Sequence, residues 1–92
     1  MKSAMAKHIL VKTKAEAESI KQQLDKGDDF AKLARKHSLC PSKKRGGDLG
    51  EIFPGQLVKP VEQVIFKKEL LKVQGPVKSK FGFHLIVTYF RG

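Results

Sequence analysis

The chain has 92 residues, 40% of them hydrophobic, and carries nineteen Lys and Arg against nine Asp and Glu, a formal net charge of +10 at pH 7. That length supports one modest core, burying roughly two thirds of the unfolded surface, so a single domain over residues 1–92 is expected. No apolar run approaches the roughly 18 residues of a membrane helix, and Met1 to Val11 lacks the charged, then apolar, then small-residue pattern of a secretory signal.

Lys7 to Lys12 is rich in β-branched residues and leucine and reads as a first strand. Thr13-Lys14-Ala15-Glu16 then fits a capping box, opening a helix that buries Ala17, Ile20 and Leu24 and stops at Gly27. Asp28 or Asp29 caps a second helix, with Phe30, Leu33, Ala34 and His37 on one face. Ser38 to Gly47 is a polar loop full of breakers, followed by a second strand from Asp48 to Phe53. Pro54-Gly55 suits a type II turn. Pro60 sits well at the first position of a short helix that turns Val61, Val64 and Ile65 inward. Gly75-Pro76 introduces a third strand, Val77 to Lys80, Gly82 marks a turn, and Phe83 to Phe90 is the fourth strand. The order β-α-α-β-α-β-β, with the last two strands antiparallel across a tight turn, predicts an α+β domain.

Two histidines stand at the edge of apolar strands: His8 in K-H-I-L-V and His84 in F-G-F-H-L-I-V. Strand periodicity puts His84 with Ile86, Thr88 and Phe90, and His8 with Leu10. If both strands are central, the two rings meet side by side; otherwise each is a buried histidine held by a backbone or hydroxyl partner. Cys40 is the only cysteine, so an internal disulfide is excluded and the reducing cytoplasm is favoured. Its loop position leaves three chemistries open. A Cys/His hydrolase would use the thiolate as nucleophile, but no orienting acid or oxyanion-hole motif accompanies it. A zinc site would combine His37 and Cys40, spaced H-x-x-C, with His8 and His84. A binding cleft would need only apolar walls and a few polar groups. The positive charge suits anionic partners, nucleic acid or a ribosome surface among them. The basic residues are nevertheless spread along the chain, the largest cluster being Lys43-Lys44-Arg45, and a solvated lysine-rich surface accounts for them equally. No cofactor motif is present and nothing calls for an obligate dimer, so a cofactor-free monomer is expected.

The series His8-Ile9-Leu10-Val11-Lys12, Phe30-Ala31-Lys32-Leu33-Ala34, His37-Ser38-Leu39-Cys40-Pro41-Ser42, Gly46-Gly47-Asp48-Leu49-Gly50, Gly55-Gln56-Leu57-Val58, Gly75-Pro76-Val77 and Phe81-Gly82-Phe83-His84 spans nearly the whole chain. Each motif alone is weak, but in this order they resemble the parvulin family of peptidyl-prolyl cis/trans isomerases, specifically its small stand-alone bacterial type. The resemblance implies a four-stranded antiparallel sheet surrounded by helices, an FKBP-like arrangement. It implies rotation about X-Pro bonds in proline-containing segments, assisting folding. His8, Cys40, Ser79 and His84 would form a hydrogen-bonded polar network, and Leu49, Leu57, Val61 and Phe66 the proline pocket. Two positions depart from the family pattern: Leu57 stands where methionine is usual, and Val61 where phenylalanine usually forms an aromatic wall. The basic loop of the phosphate-selective branch is missing, since Lys12 runs straight into the Thr13 cap, so no phosphate requirement is expected.

Overall fold

The computed structural model describes residues 2–92. Four strands, β1 (Ala4–Val11), β2 (Asp48–Ile52), β3 (Gln74–Ser79) and β4 (Gly82–Arg91), combine with helices α1 (Lys14–Asp25), α2 (Phe30–His37) and α3 (Lys59–Lys67) in the order β1-α1-α2-β2-α3-β3-β4. The expected element order is observed. The breaker-rich loop is more ordered than expected: Pro41–Arg45 forms a 3-10 helix.

Local chemistry sets most boundaries. Thr13 Oγ1 accepts from Glu16 N–H at 3.2 Å and starts α1. Asp29 Oδ2 accepts from Lys32 N–H at 3.1 Å and starts α2. These side chains satisfy N–H groups that the first turn of a helix leaves unpaired. Past α1, Gly27 takes φ +102°, which ends the helix at no steric cost. Gln56 N–H bonds Phe53 C=O at 3.2 Å around Pro54 and a positive-φ Gly55, the hydrogen bond of a type II turn. Pro60 falls at the second residue of α3, where its missing N–H costs no helical bond.

The sheet order is β2-β1-β4-β3 with every pair antiparallel, so β1 and β4 are central. Alternation along β4 divides the core between the two faces. Ile86 joins Ala4, Ala6, Ile52, Val61, Val64 and Ile65 in a cluster under α3. Leu85 joins Ile9, Val11, Ala17, Ile20, Leu33 and Ala34 under α1 and α2. His8 and His84 are in phase with Ile86 and belong to the α3 face. β1 begins at Ala4 rather than Lys7, because Ala4 and Ala6 are wholly buried on that face. Ser3 and Gly92 lie side by side: Gly92 N–H bonds Ser3 C=O at 2.9 Å, and Ser3 N–H reaches Gly92 C=O at 3.5 Å.

Candidate active site

The register of the central strands places the histidines. His8 is opposite Ile86 and Leu10 is opposite His84, so the two rings are diagonal neighbours across β1 and β4 rather than directly opposed. Their Nδ1 atoms are 3.2 Å apart, and the rings lie 5.3 Å between centroids at an interplanar angle of 19°. On the other side of β4, Ser79 Oγ is 2.6 Å from His84 Nε2. Ser79 Oγ also accepts from Phe81 N–H at 3.1 Å, which ties it to the β3–β4 turn. A hydrogen-bonded chain His8–His84–Ser79 thus crosses three strands.

The Nδ1–Nδ1 bond requires one bare nitrogen and one N–H, so two imidazolium rings cannot form it. The surroundings favour neutrality. Burial, with repulsion from His84 as a smaller contribution, lowers the His8 pKa from 6.5 to about 4. Burial also lowers that of His84. Both rings are therefore neutral at pH 7. His8 Nε2 is buried and is the ring nitrogen of this pair left without a hydrogen-bond partner.

Beside these rings opens a cavity of about 510 Å³. Leu49, Leu57 and Val61, the positions that the family resemblance puts in the proline pocket, line it together with His8, Cys40 and His84. Leu49 comes from β2, Leu57 from the segment before α3, and Val61 from the first turn of α3. Cys40 is half-buried on the wall with a free thiol. Among the described residues no hydrogen bond joins that thiol to either imidazole, so the chain runs through Ser79 and not through Cys40. The pre-formed thiol–imidazole pair of a Cys/His hydrolase is accordingly not present. Phe66 does not line the cavity; it packs against the α3-face cluster, as do Leu49, Leu57 and Val58. His37, at the end of α2, does not line the cavity, and among the described residues no three or more His, Cys, Asp or Glu gather as metal ligands.

The cavity wall also includes Leu10, Leu39, Pro41, Gln56, Val58 and Phe81, which are not among the site residues assigned from the sequence. Leu10 was legible from its phase with His8, and Leu39 and Pro41 from flanking Cys40. Phe81, 58% exposed, carries the one signal that an exposed large aromatic gives. The β3–β4 turn reaches this place because Gly82 passes hard against β1: a Cβ there would lie 2.4 Å from Val11 O. Gly47 does the same at the other side, where a Cβ would lie 2.5 Å from His8 O. What results is an apolar socket with a neutral polar floor, suited to gripping a compact apolar ring and presenting few hydrogen-bonding groups to its polar neighbours.

A family model described as "Rotamase: PPIC-type PPIASE domain" matches residues 2–88. The foldase protein PrsA of Geobacillus sp. (strain WCH70) is 50% identical over 82 residues, covering 88% of this chain and 30% of that protein. Among solved structures, PrsA of Bacillus anthracis superposes with a TM-score of 0.96 at 35% identity, covering 99% of this chain and 42% of that one. NmPin, the parvulin of Nitrosopumilus maritimus, superposes with a TM-score of 0.87 at 37% identity, covering 98% of both chains. The chain therefore spans about 30% of the PrsA foldases it matches in sequence and nearly all of the archaeal protein.

Proposed function

The chain belongs to the PPIC-type peptidyl-prolyl cis/trans isomerase family, the parvulins, and from that membership we propose that it catalyses rotation about X-Pro bonds in proline-containing segments of unfolded or native proteins and so assists their folding. The observation that carries the reading is the apolar cavity floored by the neutral His8–His84–Ser79 chain.

Rotation of a peptide bond is opposed by about 18–20 kcal/mol because amide resonance must be broken. For X-Pro bonds the unaided process takes tens of seconds or more. No covalent bond is made or broken, so the protein has only to bind the twisted amide better than the planar one. Leu49, Leu57 and Val61 grip the proline ring and strip water that favours the polar, planar form. His8 and His84 orient the polar floor, Ser79 fixes the His84 ring, and Cys40 stands beside the substrate carbonyl as a polar neighbour. Phe66 packs against the cluster that holds Val61. None of these groups has to exchange a proton with substrate. Each 1.36 kcal/mol of preference for the twisted state is worth about tenfold in rate, so a few well-placed groups suffice.

No phosphate is required before the proline on this reading, since only Lys12 and Thr13 separate β1 from α1 and leave no room for a basic loop. The lone cysteine favours a reducing compartment, and we place the protein in the cytoplasm, acting as a monomer. The test is an NMR exchange measurement on X-Pro peptides beside folded His8→Ala and His84→Ala variants. Exchange well above the buffer rate, reduced in both variants, is expected; wild-type exchange equal to buffer would refute the proposal.

A further inference from the structure

The outer edge of β1 is finished by an unusual device. The β1–β2 ladder runs from Ala4–Ile52 to Lys7–Asp48 and stops there. Beyond it, β1 is partnered by the segment 38–47, which is not a strand. His8 N–H bonds Gly47 C=O at 2.9 Å, and Leu39 N–H bonds Leu10 C=O at 2.8 Å. The remaining donor, Leu10 N–H, finds no backbone carbonyl and bonds Ser38 Oγ at 3.1 Å. The same oxygen accepts from Cys40 N–H at 3.3 Å.

From this geometry we propose that Ser38 is a positioning residue for the site, its hydroxyl oxygen setting Cys40 and the mouth of the cavity against β1. A hydroxyl oxygen has two lone pairs, and both are used here by donors on cavity residues. Leu10, Leu39 and Cys40 all line the cavity, and the three are joined through this one oxygen and the Leu39–Leu10 bond. Ser38 is itself held: it is 3% exposed, its N–H caps α2 by bonding Ala34 C=O at 2.9 Å, and its backbone is extended at φ −69°, ψ 139°. Helix α2 therefore fixes the hydroxyl, and the hydroxyl fixes the thiol-bearing loop. Removing the oxygen leaves two backbone donors without their partner at once, and the loop must move to recover them. The 38–40 segment contains no other side chain able to replace it.

The inference rests on the isomerase reading only for its kinetic consequence. Ser38→Thr keeps the acceptor and Ser38→Val removes it at nearly equal volume. In the isomerase assay, Ser38→Val is expected to lose about tenfold in kcat/KM, expressed in kcat more than in KM, with Ser38→Thr within about twofold of wild type. The rate of Cys40 alkylation by iodoacetamide is expected to change about threefold or more in Ser38→Val and to stay near wild type in Ser38→Thr. Equal alkylation rates and equal kcat in folded Val and wild-type proteins would overturn the proposal, as would equal changes in Val and Thr. Amide hydrogen exchange on the wild-type protein decides the matter if the variants do not fold: Leu10 and Cys40 amides protected together support it, and a Cys40 amide exchanging as fast as the exposed loop amides overturns it. Alkylation and exchange are read without turnover, so an inactive wild type would sink the isomerase reading while leaving this one to its own result.

Discussion

His8 and His84 are neutral in the folded protein because both rings are largely buried, and this has a price in acid. In the unfolded chain each ring takes a proton near pH 6.5, whereas folded His8 resists protonation down to about 4. Between those values the unfolded state binds more protons than the folded one, so stability is fully present above pH 6.5 and falls as the pH drops toward 4. For His8 alone the loss is on the order of 3 kcal/mol by pH 4. Urea titrations at pH 7.5, 5.5 and 4.5 should show the midpoint falling in that window, and a His8→Gln variant should flatten the fall. Val61 invites a second measurement at this scale. It is 2% exposed, shared between the α3-face cluster and the cavity wall. Phenylalanine is bulkier and at this position would narrow the cavity. Val61→Phe is expected to raise kcat/KM several-fold by closing on the proline ring, while added bulk beside Ile65 and Ile86 costs about 1 kcal/mol in a denaturant titration.

At the scale of elements, α3 is held at its last turn by β4. Arg91 donates from Nε and Nη2 to Ile65 C=O at 3.1 and 2.7 Å, and from Nη2 to Lys68 C=O at 2.5 Å. Thr88 Oγ1 adds a further bond to Ile65 C=O at 3.3 Å. A guanidinium at a helix C-terminus satisfies carbonyls the helix leaves free and complements its dipole. Arg91→Ala should lower stability by about 1–2 kcal/mol and weaken peptide binding, since α3 carries Val61; thermal melts and peptide titrations check both. The elements most readable in advance were those with local signals: Thr13 as a cap, and Asp28 or Asp29 as the next, which the structure resolves to Asp29; Pro54-Gly55 as a turn; and Val61, Val64 and Ile65 as the inner face of α3. The start of β1 was not readable, because alanine does not mark a strand and only burial under α3 puts Ala4 and Ala6 in one. The 3-10 turn at Pro41–Arg45 escaped for a related reason: its shape depends on Ser38 and Gly47 meeting β1, a contact between distant parts of the chain. For the site, periodicity supplied the phase of His8 and of His84 within their own strands, but neither the pairing that puts them on one face nor their diagonal spacing. It also could not separate Leu57, on the wall, from Phe66, which does not line the cavity, since both are apolar and distance is not written in phase.

On the scale of the whole molecule, the surplus of lysine and arginine is carried outside a site whose two histidines are uncharged at pH 7. Rotation about X-Pro bonds in a neutral peptide should therefore depend only weakly on salt, while any contact with polyanions should weaken steeply as salt rises. The neighbouring chain ends have a mechanical meaning. Ser3 and Gly92 mark the same end of the antiparallel β1–β4 pair, so tension applied through them enters at one end of that pair and opens its hydrogen bonds in succession, as a zipper. Tension applied between Ser3 and Phe81, at opposite ends of the same pair, loads those bonds together in shear. A single-molecule pulling experiment should find the first geometry yielding at clearly lower force than the second. A unit built this way gives way first at the seam between its central strands when its ends are pulled, and that seam carries both histidines.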